Sequence, residues 1–185
     1  MITNKQAWAY FESLGWTRSK DEVGDTQHMK MLTDRRVSVL FDFRRLPENY
    51  TLRSSFSVST SEYLETSSYV AGRKEMGYHI LARGKTLRQE SFDFCDMENY
   101  SDFLISWALE TNLEEELKKL RELPTSAPGN APLRHLSALA VAGDVKTLTM
   151  YQAALAKGDR LGFVPYIKED YIDRALQKAK DRSAL

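Results

Sequence analysis

The spacing of apolar residues changes near Asp96. From Arg36 to Phe94 they tend to alternate, and from Tyr100 to Ala179 they recur every third or fourth position. A period of two lines one face of a strand, whereas a period near 3.6 lines one stripe of a helix. A chain with this pattern builds a sheet first and helices afterwards. The expectation is an α+β fold: an N-terminal helix, an antiparallel meander of about five or six strands, a long helix packed on the sheet, and a C-terminal helical segment.

Individual stretches sharpen this outline. Thr3 and Gln6 have capping-box spacing ahead of Trp8, Phe11 and Leu14, and Gly15 stands where a helix C-terminal cap falls. Trp16 is expected to join the core. Val37, Val39, Phe41 and Phe43 alternate strictly, followed by Leu52, Ser54, Phe56 and Val58. This predicts two adjacent strands with Phe41 and Phe43 buried and Asp42 and Arg44 outward. Tyr63 to Val70 is rich in Ser, Thr and Tyr, which suits an edge strand. Tyr78, Ile80 and Ala82 are expected on one further strand face. Gly84-Lys85 is the expected hairpin turn into a strand from Leu87 to Phe94.

Asp96 is the expected cap of the long helix, whose first stripe is Tyr100, Phe103, Leu104 and Trp107. The segment from Pro124 to Pro132 contains three prolines and Gly129. It divides the expected organisation into a sheet domain over 1–122, a linker over 123–131 and a helical segment over 132–185. Pro132 suits the first turn of a helix ending near Gly143, and Asp144 suits the cap of the next.

Two stretches resemble known families. Ala131 to Leu148, APLRHLSALAVAGDVKTL, is similar to the helix–turn–helix of one ankyrin repeat, with Pro-Leu near its start and Gly between the helices. It carries one inserted residue and has no second copy, so an ordinary helical hairpin is expected. Over Thr3 to Leu120, the order helix, strand meander, helix is similar to type III secretion chaperones. That likeness is one of element order and carries no motif residues.

Composition narrows the functional classes. Lys plus Arg and Asp plus Glu both number 26, giving a formal net charge of zero. Nucleic-acid binders depend on a basic excess, so none is expected as a partner. Near neutrality favours association, which suits a protein partner or a homo-oligomer. Cys95 is the single cysteine, so no intramolecular disulfide forms, in keeping with a reducing, cytoplasmic setting. The first residues lack the features of a signal peptide, and no stretch approaches the ~18 apolar residues of a membrane span. No membrane partner is expected.

Catalytic signals are absent from the pattern. His28, His79 and His135 show no metal-binding spacing, so no metal, cofactor or catalytic residue is assigned. Cys95 is expected to be a buried inert thiol. Glu114 to Glu116, followed by Lys118 and Lys119, has the spacing of a solvated helix face. Arg35-Arg36 and Arg44-Arg45 flank the strongest strand and suit salt bridges. Tyr63, Tyr69 and Tyr78, with Glu62 and Glu65, form the candidate partner-binding cluster, since Tyr is enriched at interfaces. The functional expectation is a non-enzymatic protein that sequesters a protein partner, of the toxin-neutralising immunity or secretion-chaperone type. The alternative is a small enzyme with a spatially assembled site invisible in sequence.

Overall fold

The structure is a computed structural model that describes residues 3–20, 26–45, 50–73, 81–85, 87–89 and 93–184. It is α+β, as the change of period predicts. The chain forms two compact units. Unit 1 comprises residues 1–60 and 80–111, and unit 2 comprises residues 61–79 and 112–185.

Unit 1 begins with α1 (Asn4–Ser13), capped by Thr3 and Gln6 in the expected box. Four strands follow in an antiparallel meander: β1 (Thr17–Lys20), β2 (Thr26–Met31), β3 (Arg35–Arg45) and β4 (Tyr50–Thr60). The fifth strand comes in two pieces, β5 (Ala82–Arg83) and β6 (Leu87–Gln89), both antiparallel to β4. Arg83 faces Ser57 and Leu87 faces Ser54, so the fifth strand carries one more residue than β4 over that interval. Gly84-Lys85 therefore belongs to a bulge within one strand and not to a hairpin turn.

Register decides the buried face. Val37 faces Val58, Val39 faces Phe56 and Phe41 faces Ser54. All six side chains are buried, while Asp42 is exposed. The side chains of Phe43 and Arg44 lie outside the described residues. The long helix α3 (Phe94–Glu110) packs on this face beside α1. Its capping box pairs Asp93 with Asp96, so Asp96 is the third helical residue and Asp93 is the cap. Phe94 opens the helix and does not end a strand. Trp16 is buried, and its Nε1 donates to Ser101 Oγ at 2.9 Å.

Arg35 closes the other end of α3. Its guanidinium pairs with Asp34 and donates to the carbonyls of Ala108 at 2.6 Å and Thr111 at 3.1 Å. A cation at a helix C-terminus satisfies orphan carbonyls and complements the helix dipole.

Unit 2 holds α2 (Ser61–Val70), α4 (Leu113–Arg121), α5 (Ala131–Val141), α6 (Val145–Ala156) and α7 (Glu169–Ser183). The expected edge strand at Tyr63 to Val70 is thus a helix. Its buried residues, Tyr63, Leu64, Ser67 and Val70 among them, recur at helical spacing. The expected helical hairpin is present as α5 and α6, with Gly143 between them at φ 70°. The core joins Val70, Leu136, Leu148, Phe163, Ile167, Ile172 and Leu176.

Two features fasten the loops of unit 2. His135 is buried, with Nδ1 at 3.1 Å from Leu120 O and Nε2 at 3.0 Å from Tyr151 Oη. A carbonyl only accepts, so Nδ1 carries the hydrogen and Nε2 accepts from the tyrosine. The proline-rich segment is also tied down: Thr125 Oγ1 donates to Leu161 O, and Tyr166 Oη donates to Gly129 O at 2.8 Å. Residues 123–131 lie inside unit 2, and the boundary between units falls at 111–112.

Candidate functional site

A groove of about 250 Å³ opens on unit 2 where three stretches meet: the residues after α2, the start of α5 and the segment leading into α7. Ala71 and Arg73 contribute from the first, Leu133 from the second, and Tyr166 and Tyr171 from the third. Its walls are mainly aromatic and aliphatic, with Arg73 supplying charge, which is the usual make-up of a recognition site.

Local chemistry holds this groove open. After α2 the chain turns at Gly72, whose φ is 71° and whose α-carbon faces the Arg174 guanidinium; an added Cβ would lie 3.2 Å from it. Arg174 Nε donates to Val70 O at 2.8 Å, and Nη1 pairs with Asp170 at 2.8 Å. The same guanidinium lies 5.0 Å from the centre of the Tyr171 ring. One cation thus joins the C-terminus of α2 to α7 and backs an aromatic wall. Tyr166 and Tyr171 meet edge to face at 6.5 Å. Burial, and then Tyr171, push the Tyr166 phenol up, and its hydroxyl donates to Gly129 O. At 42% exposed, its ring is available for contact.

A second cavity, about 510 Å³, is lined by Leu155, Gly158, Arg160, Lys168, Glu169 and Asp170. Arg160 there donates to the carbonyls of Phe163, Val164 and Ile167, so its role is to shape the loop ahead of α7.

Of the tyrosines named from sequence, Tyr63 and Tyr69 lie on the helix α2 and not on a sheet edge. Tyr63 is fully buried in unit 2, its phenol near Ser67 and Arg134 and its pKa raised by desolvation. It cannot meet a partner from there. Tyr69 lies on the outer side of α2 with the Lys178 ammonium 5.0 Å from its ring centre. Tyr78 lies outside the described residues. The sequence does not single out Tyr166 and Tyr171 for binding, because only the packing of unit 2 brings them together with Ala71 and Leu133.

The titratable candidates His28 and His135 belong to different units. His28 is buried in unit 1 between Phe11 and Phe41, and His135 is buried in unit 2; His79 lies outside the described residues. Among the described residues, no group of three or more His, Cys, Asp or Glu is placed to hold a metal. Cys95 is exposed in the first turn of α3, contrary to the expected buried thiol, because it points away from the stripe formed by Met97, Ser101 and Leu104. Among the described residues, no helix is long and apolar enough to cross a membrane.

These features define an α+β protein that joins a helix-backed antiparallel sheet to a helical unit bearing an aromatic groove. The chain belongs to DUF6990, a family of unknown function, whose model matches residues 3–180. No curated protein and no solved structure matches it.

Proposed function

We propose that the protein binds and sequesters another protein in the cytoplasm, in the manner of a toxin-neutralising immunity protein or a secretion chaperone, and that a short partner segment enters the Tyr166–Tyr171 groove. The groove itself carries this reading. Its aromatic walls are preorganised by Arg174 and Gly129, so little side-chain freedom is lost on contact. Tyrosines in such settings are frequent binding hot spots.

The test is partner binding by Tyr166→Ala and Leu133→Asp proteins, with Tyr166→Phe as the control that keeps the ring. The first two should weaken binding at least tenfold while each variant keeps its helical circular dichroism, and the control, which keeps the ring but loses the bond to Gly129 O, should bind more weakly than the parent and more tightly than Tyr166→Ala. Unchanged binding by both groove variants would remove the groove from the proposal.

A further inference from the structure

We propose that the outer side of the fifth strand in unit 1 accepts one more strand from a partner protein, an extended segment in which apolar residues alternate with acidic ones. This surface belongs to unit 1, and the proposal does not depend on the unit 2 groove.

Three observations lead there. First, β5 and β6 pair with β4 on one side, and among the described residues no strand pairs with the other side. An unpaired edge presents backbone donors and acceptors that an extended chain can complete. Second, the α3 side of this edge carries an aromatic ledge. Gly84 lacks a side chain, and the Phe56 ring lies directly over it; an added Cβ would fall 1.8 Å from a ring carbon. Around that ring stand Trp107 at 4.8 Å and Phe103 at 5.7 Å, both edge to face, with Phe103 43% exposed. Third, the strand bears Arg83 and Lys85, both exposed and without an ion pair among the described residues. Arg83 faces Ser57 across the ladder, one residue from Phe56, and so projects to the opposite sheet face from that ring.

Strand geometry turns these placements into a partner pattern. Successive side chains of an added strand point to opposite faces. Those on the α3 face meet Phe103 and Trp107 and are favoured when apolar. Those on the other face meet Arg83 and are favoured when acidic, while Lys85 adds positive charge along the strand. Exposed basic residues and a bulge also serve in many sheets to prevent pairing, and the experiment separates the two roles.

The probe is an eight-residue peptide of alternating Val and Glu, titrated into the full chain by fluorescence anisotropy. Two relatives accompany it: one with Lys in place of Glu, and one N-methylated along the amides of one edge. The Val-Glu peptide should bind, the Lys peptide at least tenfold more weakly, and the N-methylated peptide at least tenfold more weakly. Arg83→Glu, with melting temperature preserved, and Phe103→Ala, with helical circular dichroism retained, should each reduce binding at least fivefold, while Tyr166→Ala leaves it unchanged. Absence of binding by the Val-Glu peptide would show that the edge is only blocked. Equal binding of the N-methylated peptide, or insensitivity to Arg83→Glu, would also overturn the proposal.

Discussion

His28 offers a direct test of how unit 1 is built. It sits on β2 with no exposed surface, 5.8 Å from the Phe11 ring and 5.6 Å from the Phe41 ring. Neither ring nitrogen has a hydrogen-bond partner among the described residues. Burial lowers its pKa from 6.5 to about 4, with Glu12 opposing and Arg18 assisting. The unfolded chain therefore takes up a proton near pH 6.5 while the folded protein refuses it until about pH 4. Stability from this site is complete above pH 6.5 and is lost as the pH falls toward 4, in total about 3 kcal/mol. His28→Leu should abolish that loss and should stabilise the protein at pH 7 by roughly 1–3 kcal/mol, the cost of leaving a buried polar group unpaired. The assay is urea unfolding at a series of pH values, followed by tryptophan fluorescence. Trp8, Trp16 and Trp107 all belong to unit 1, so this signal isolates it. If parent and variant lose stability equally between pH 6.5 and 4, the buried neutral histidine is not the cause and the reasoning fails.

Other substitutions probe single contacts. Gly84→Ala drives a Cβ into the Phe56 ring and should cost about 1–3 kcal/mol by overpacking, seen as a lower midpoint in tryptophan-monitored unfolding. Its cost should shrink in a Phe56→Leu background. Arg35→Met removes the donors at the C-terminus of α3 and should cost about 1–3 kcal/mol, measured the same way. Tyr63→Ala empties a fully buried site in unit 2 and should cost about 3–5 kcal/mol, read by circular dichroism at 222 nm; an unchanged melt would contradict its burial.

Much of unit 1 was legible in the sequence because its signals are local. Thr3 and Gln6 form their box, and the alternation through Phe41 places the sheet face. The hairpin of α5 and α6 follows from Pro132, Gly143 and Asp144. The segment from Tyr63 to Val70 was misread because its helix rests on tertiary packing and not on propensity. Ser67 and Ser68 are weak helix formers, yet both are buried where α2 meets neighbouring helices, and small side chains there permit close approach. No turn residue separates Thr60 from Ser61, so β4 runs into α2 without a local break. Gly84 looked like a turn because glycine signals turns, whereas its need arises from Phe56, some 28 positions earlier in the chain. Composition marks residues 123–131 as a linker, whereas the bonds from Thr125 to Leu161 O and from Tyr166 to Gly129 O cannot be inferred from spacing. The groove was hidden for the same reason: Ala71, Leu133 and Tyr166 meet only through the packing of unit 2.

Sequestration of a protein through the unit 2 groove is the central claim, and one comparison tests it most directly. The full chain and its Tyr166→Ala and Leu133→Asp variants are used to capture proteins from the native host. The species enriched by the parent is then purified and titrated against all three by calorimetry. Saturable one-to-one binding to the parent is expected, with at least tenfold weaker binding to both variants while each keeps its helical circular dichroism. Equal affinity of all three proteins for that partner would contradict it.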